Sequence, residues 1–211
     1  MGIMTEDRDY GNQTTVRINA MDCYMYIPVK EIPEQDDGFK YATRIVKGKT
    51  YYDKIVPGVE GQFVKVEPYK YHSEEMNEDR EGFNIVLKDG GETFVVSTGW
   101  TTVAQSIANS LAGTPNLGRI SLKVYGKSDE QGRVRPRASM KNNGNFMEWK
   151  YPIDAQKQMI TYTEHKGKKL KDDTKFVEQL KADFDLINDP VDPSEEDLSF
   201  MDELNKVEKN G

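Results

Sequence analysis

Cysteine is almost absent. The one thiol, Cys23, allows no internal disulfide, and with only two histidines, His72 and His165, it leaves too few ligands for a Cys/His zinc site. No apolar run reaches about 18 residues, so no transmembrane helix is expected. Met1 to Asn12 is polar and lacks the hydrophobic centre of a signal peptide, which reads as an intracellular protein. Hydrophobic residues make up 36%, below the usual globular share, so the core is expected in only part of the 211 residues. No phosphate-cradling loop occurs, because Gly58-Val59-Glu60-Gly61 and Gly90-Gly91 have turn chemistry. Cys23 and His165 lie far apart without supporting motifs, and the carboxylates from Glu74 to Glu81 and near the C-terminus sit in solvated segments. These absences weigh against an enzyme and call for no cofactor and no metal.

The net charge of −7 is unevenly placed. Ten acids and two lysines between Asp183 and Gly211 give that end −8 and leave residues 1–182 at +1. Acidity that would repel nucleic acid therefore belongs to a tail.

Residues 1–13 read as disordered. Met21 to Val29, Tyr41 to Val46 and Thr50 to Val56 are candidate strands, within an N-terminal segment (14–58) expected to pack on a domain that begins at Val59. From Val59 to Tyr151 the pattern is three strands, a short helix, then two or three more strands. Gln62 to Tyr71 is a long strand in which Pro68 needs an edge or a bulge. His72 to Gly82 is polar and reads as a loop. Phe83 to Lys88 alternates, with Phe83, Ile85 and Leu87 on one face, and Asp89-Gly90-Gly91 turns it into Glu92 to Thr98. Thr101 or Thr102 caps a helix running to about Leu111, with Val103, Ile107, Ala108 and Leu111 on its apolar side and Gly113 as its stop. Arg119 to Tyr125 is the fourth strand, with Ile120, Leu122 and Val124 inward and Lys123 and Tyr125 outward. Gly126 to Pro136 reads as a mobile connection. Arg137 to Lys141 and Phe146 to Tyr151 form a hairpin around Asn142-Asn143-Gly144-Asn145.

This is the element order of a five-stranded Greek-key barrel of the oligonucleotide-binding (OB) type. The expected fold is mainly β: an OB-type barrel over 59–163, with a helix between its third and fourth strands. A basic linker and an amphipathic helix, Asp173 to Ile187, occupy 164–188, with Phe176, Val177, Leu180 and Phe184 on the apolar stripe. An acidic tail over 189–211 is expected to be disordered.

A single-strand binder needs aromatic faces for unstacked bases and cations for the backbone. The candidate platforms are Tyr51, Tyr52, Tyr69, Tyr71, Trp100, Tyr125 and Trp149. Phe83, Phe94 and Phe146 read as core. Trp100, at a strand–helix junction, suits a core plug as well as a base platform. Tyr51 and Tyr52 must split, one in and one out. Arg44, Lys47, Lys49 and Lys54 cluster around one turn, and Lys65, Lys70, Lys88, Lys123, Lys127, Arg133, Arg135, Arg137 and Lys141 recur along the barrel. Arg133-Val134-Arg135-Pro136-Arg137 is the densest run, between the last two barrel strands. Lys166 to Lys171 reads as a linker or an electrostatic partner for the tail. Leu198, Phe200, Met201 and Leu204 within the tail allow it to dock on partner proteins, to cover the basic groove, or to form a helix over Glu195 to Val207.

Taken together these pieces resemble bacteriophage single-stranded DNA-binding proteins with an OB fold. The likeness covers roughly Val29 to Tyr151: "RIVKGKTYYDKI" (Arg44 to Ile55), "VEGQFVKVE" (Val59 to Glu67), the hairpin from Phe83 to Thr98, a helix, "ISLKVYGK" (Ile120 to Lys127) and "ASMKNNGNFMEWKY" (Ala138 to Tyr151). The resemblance implies sequence-tolerant binding of single-stranded DNA during replication or recombination, in the cytoplasm of an infected or host bacterial cell. It also implies an acidic tail that competes with DNA and contacts replication or recombination proteins through Asp183 to Leu204. The chain departs from the family in ending Lys206-Val-Glu-Lys-Asn-Gly, not in an acidic–aromatic terminus. A homodimer is open. An adaptor module using an OB-like barrel for protein contacts, and a single-stranded RNA binder, are the alternatives.

Overall fold

The structure, a computed structural model, describes residues 13–19, 23–46, 48–73, 77–165 and 167–188. Alternation builds its core. Strand β6 (Glu78–Asp89) sends Phe83, Ile85 and Leu87 to one face, all fully buried. Ile85 lies opposite Val66 on β5 (Gly58–Ser73) and opposite Val96 on β7 (Glu92–Gly99), both also fully buried. Gly90 and Gly91, at φ +56° and +91°, make the tight turn between β6 and β7. Thr101 then caps α1 (Thr102–Ala112), its hydroxyl accepting the Ala104 N–H at 3.2 Å. Val103, Ala104, Ile107, Ala108 and Leu111 close the core from that side. Gly113 ends α1 for reasons of space, not of a left-handed turn: its φ is −85°, and a Cβ there would stand 2.4 Å from the Glu148 carbonyl oxygen.

After α1 the chain returns along β8 (Arg119–Ser128), which pairs antiparallel with the start of β5. β9 (Val134–Asn142) pairs with β8, and the two-residue β10 (Asn145–Phe146) with β9. Ile120, Leu122 and Val124 face the core as their alternation predicts. The N-terminal segment supplies β1 (Gln13–Asn19), β2 (Tyr24–Val29), β3 (Lys40–Val46) and β4 (Lys49–Val56). These continue the same sheet. β1 runs parallel to β7, with Val16 opposite Val96, and β2, β4 and β3 follow.

The result is one large mixed sheet in the order β10-β9-β8-β5-β6-β7-β1-β2-β4-β3. This corrects the expectation of a closed five-stranded barrel. β1 occupies the edge of β7 where a closing strand would pair, and no ladder among the described residues joins the ends of the sheet. The sheet still curls, since β2 packs against β8 five places away, with Cys23 beside Gly126.

Other expectations change as well. The loop expected from His72 to Gly82 is not one in its described residues: β5 runs on to Ser73 and β6 starts at Glu78, a ribbon with Tyr71 opposite Arg80 and Ser73 opposite Glu78. Both faces of that ribbon meet water, so no apolar alternation marks it. Likewise β8 and β9 extend to a Ser128–Val134 pair, and the remaining turn is ordered by the Asp129 carboxylate, which accepts the N–H groups of Gln131 and Arg133. Phe146 is 72% exposed instead of buried, and the strand expected from Phe146 to Tyr151 stops at Phe146. A short helix, α2 (Ile153–Met159), precedes a hairpin of β11 (Thr161–His165) and β12 (Lys168–Asp172), fully exposed, in place of the basic linker.

The last described element is α3 (Thr174–Asn188), which buries Phe176, Leu180 and Phe184. Asp183 is not the start of a solvated tail. It is 2% exposed, accepts from the Lys150 ammonium and the Tyr151 hydroxyl at 2.9 Å each, and holds Lys150 above its ordinary pKa. Asn188 exchanges two hydrogen bonds with the Val66 backbone, acting as a one-residue strand on the free edge of β5. Pro68, two residues on, points its missing donor to that same edge, so no ladder bond is lost. The expected disorder of residues 1–13 falls outside the described residues except for Gln13, which opens β1, and the tail over 189–211 also falls outside them. No described helix is long and apolar enough to cross a membrane.

Candidate nucleic-acid interface

Residues paired across a ladder share a face, and so do residues two apart on a strand. One row therefore runs across the solvent side of the sheet: Glu67, Asn84, Ser97, Arg17, Tyr26, Ile55 and Lys40. Steps of two from that row reach Tyr69, Tyr71, Arg80, Tyr24, Tyr51, Asp53, Arg44 and Lys49. The bulge between Phe63 and Lys65 keeps Lys65 on this side as well. The opposite face is the apolar core. Aromatic and cationic side chains are thus sorted onto the outside of one continuous surface.

The β8–β9 arm carries the densest part. Tyr125, 45% exposed, lies directly opposite Arg137, with Lys123 and Lys127 two residues to either side. None of these three cations has an ion-pair partner among the described residues. Lys88 and Lys49 are likewise unpaired there. By contrast Arg133 and Arg135 both hold Asp129, at 2.9 and 3.3 Å, so the densest basic run of the sequence is partly spent on its own turn. Lys65 pairs with Glu67, and Lys141 lies 4.6 Å over the Phe146 ring.

A second cluster lies on the β5–β6 ribbon. Tyr69 and Tyr71 are 6.0 Å apart. Tyr69 can lie flat because residue 82 is glycine: a Cβ there would stand 2.5 Å from the Tyr69 hydroxyl and 2.3 Å from the Thr98 carbonyl oxygen. Burial pushes the Tyr69 hydroxyl above its usual pKa, and Ser97 Oγ donates to it at 3.3 Å. Beyond the end of β7 these rings border a cavity of about 580 Å³, together with Arg80, Trp100, Val177 and Lys181.

No family model, curated protein or solved structure matches this chain.

Not every expected site residue belongs to the outer face. Tyr52 and Lys54 take the other side of β4, with Lys54 Nζ 3.4 Å over the Phe39 ring. Tyr51 and Tyr52 do split, as adjacent strand residues must. Trp100 is mainly a core plug, its ring stacked on Phe184 at 5.8 Å and tilted against Phe83 at 4.8 Å, with its indole N–H buried and unpartnered. Trp149 is 43% exposed in the coil after β10. Lys47 lies outside the described residues. Tyr24, Tyr26, Arg17, Asp53 and Arg80 were missed. A period-two reading of "TTVRIN" was the one signal for Arg17, and nothing in the sequence joins it to Asp53.

The cavity wall has its own electrostatics. Glu81 bridges Lys181 at 2.5 Å and Lys70 at 2.6 Å, and these two ammonium groups, Lys181 first, hold its carboxyl below the ordinary range. A carboxylate with a depressed folded-state pKa stabilises fully above its unfolded value and loses that contribution as pH falls through the folded one. Glu81→Gln is therefore expected to lower Tm at neutral pH by the equivalent of about 1 kcal/mol or less. The gap between variant and wild type should close below about pH 4.5, as thermal melts from pH 7 to 3 would show.

Proposed function

We propose that this chain binds single-stranded DNA without regard to sequence, along the outer face of its sheet. The observation that carries the reading is Tyr125, an exposed ring on a two-stranded arm, ringed by Lys123, Lys127 and Arg137, which have no ion-pair partner among the described residues. A ring offers a stacking face to any base, and cations without partners are free to replace counterions on phosphate. Tyr69 and Tyr71 extend the aromatic surface on the neighbouring ribbon.

Strand pairing supports the same reading. β5–β6, β6–β7, β5–β8 and β8–β9 are four of the pairings of an OB-type Greek key, with α1 between its third and fourth strands. In this account the core is an OB-type barrel left open after β7, its missing pair replaced by β1. OB folds bind oligonucleotides on the face of strands two and three and on the loops after strands one and four. Here those places are β6, β7, the β5–β6 ribbon with Tyr69 and Tyr71, and the β8–β9 arm. The likeness to bacteriophage single-stranded DNA-binding proteins rests on the same segments. A role in replication or recombination follows from it, as does competition between DNA and the acidic residues after Asn188.

The test is fluorescence-anisotropy titration of a labelled mixed-sequence 30-mer at about 50 and 200 mM salt. Binding that weakens steeply with salt and resists duplex competitor is the expected result. Competition by single-stranded RNA at equal strength would make the ligand single strands in general. Absence of binding at low salt, with residues 189–211 present or deleted, would refute the reading and favour a protein-contact module.

A further inference from the structure

Asp53 is 1% exposed, yet it stands on the outer face in a segment whose other charges are basic. Its Oδ2 accepts from Arg44 Nε at 2.6 Å, and its Oδ1 accepts from the Arg17 guanidinium, which reaches across β2 to it. One arginine would neutralise a buried carboxylate. Two leave the trio at +1. Each guanidinium has five N–H donors, and Asp53 engages one of each. Arg17 Nε is buried with no partner among the described residues, so the donors it leaves to a ligand are those on its terminal nitrogens. Both side chains remain open to solvent, at 34% and 22%, and Arg44 is steadied 5.4 Å over the Tyr51 ring.

We propose that Arg17 and Arg44 form a phosphodiester clamp set in place by Asp53, on strands that lie outside the OB-like core. The inference rests on the single-stranded DNA reading and extends its track from β7 across β1 and β2 to β4 and β3. Planar guanidinium forks match phosphate geometry, and forks already fixed by a buried anchor lose little freedom on binding. Tyr51, beside Arg44, supplies a ring for the adjoining base. Asp53 is thus a positioning residue: an acid that promotes the binding of an anion.

That sign gives the test. Asp53→Asn raises the local charge by one, so unaided Coulomb attraction makes single-stranded DNA bind more tightly. Positioning makes it bind more weakly. In the full chain, with the labelled 30-mer at constant salt, Asp53→Asn is expected to weaken binding about five- to tenfold with the salt slope unchanged. Arg17→Gln with Arg44→Gln should weaken it at least as much and lower the slope by about two. Equal or tighter binding by a folded Asp53→Asn variant overturns the clamp. Should that variant melt early, Arg17→Lys with Arg44→Lys decides. It keeps both charges, so weakened binding supports the clamp and wild-type affinity overturns it. Wild type is the control: if it fails to bind, the single-stranded DNA reading and the clamp fall together, whereas normal wild-type binding with indifferent variants removes the clamp alone.

Discussion

Replacing Phe184 by alanine is expected to lower the stability of the folded chain by about 3–5 kcal/mol. Phe184 is fully buried and ties α3 to two other parts of the fold, meeting Phe83 of β6 at 5.2 Å, edge to face, and Trp100 at 5.8 Å, stacked. Truncation leaves a cavity beside Phe83, which strand pairing holds in place and which cannot collapse into it. It also removes two aromatic contacts, each worth about 0.5–1.5 kcal/mol beyond the area buried. Denaturant titration should show a fall in midpoint with an unchanged slope. A midpoint within experimental error of wild type would mean that α3 is an accessory element.

The same packing decides where a tail deletion has to begin. Removing Asp183 to Gly211, the acidic segment by composition, takes away Phe184, the Asp183 contacts to Lys150 and Tyr151, and Asn188 on the β5 edge. That deletion is expected to destabilise at least as much as Phe184→Ala, and any change in DNA affinity would then report unfolding. A deletion starting after Asn188 spares all of these contacts while removing eight of the ten acids. It is the variant that tests competition between tail and DNA.

How much of this was legible depends on what burial does to a sequence. Strands with one face in the core announced themselves: Phe83, Ile85 and Leu87, or Ile120, Leu122 and Val124, alternate because water lies on one side only. So did the Asp89-Gly90-Gly91 turn and the Thr101 cap. The β5–β6 ribbon and the end of the β8–β9 arm were unreadable, since strands wet on both faces carry no apolar period. Asp183 reads as tail from its acidic neighbours in sequence, whereas its partners Lys150 and Tyr151 lie more than one element away. The closure of the sheet was the least legible feature. Nothing in "QTTVRIN" says that it will lie parallel to β7 and take the edge a fifth barrel strand would use. On the outer face, the exposure of Lys123 and Tyr125 was legible because their neighbours in sequence, Leu122 and Val124, are buried. The Arg17–Asp53–Arg44 trio joins three strands, and no local pattern encodes such a contact.

The second large effect is expected on binding, from Lys123→Ala with Tyr125→Ala. Both side chains are on the outer face of β8 and exposed, and neither makes an ion pair or ring contact among the described residues, so the melting temperature should stay close to that of wild type. Affinity should fall for two separable reasons. Loss of the ring removes a stacked base, worth about 1–3 kcal/mol, and that loss should not depend on salt. Loss of the lysine removes about one released counterion, so the slope of log K against log salt should flatten by about one. Tyr125→Phe, which keeps the ring and discards the hydroxyl, should bind nearly as wild type if stacking is the interaction. The pair of readouts discriminates between sites. A flattened slope with unchanged affinity at high salt would leave Lys123 on the phosphate track and remove Tyr125 as a base platform. Wild-type affinity and slope in the double variant would move the interface off the β8–β9 arm, leaving the β5–β6 ribbon with Tyr69 and Tyr71 as the aromatic surface that remains.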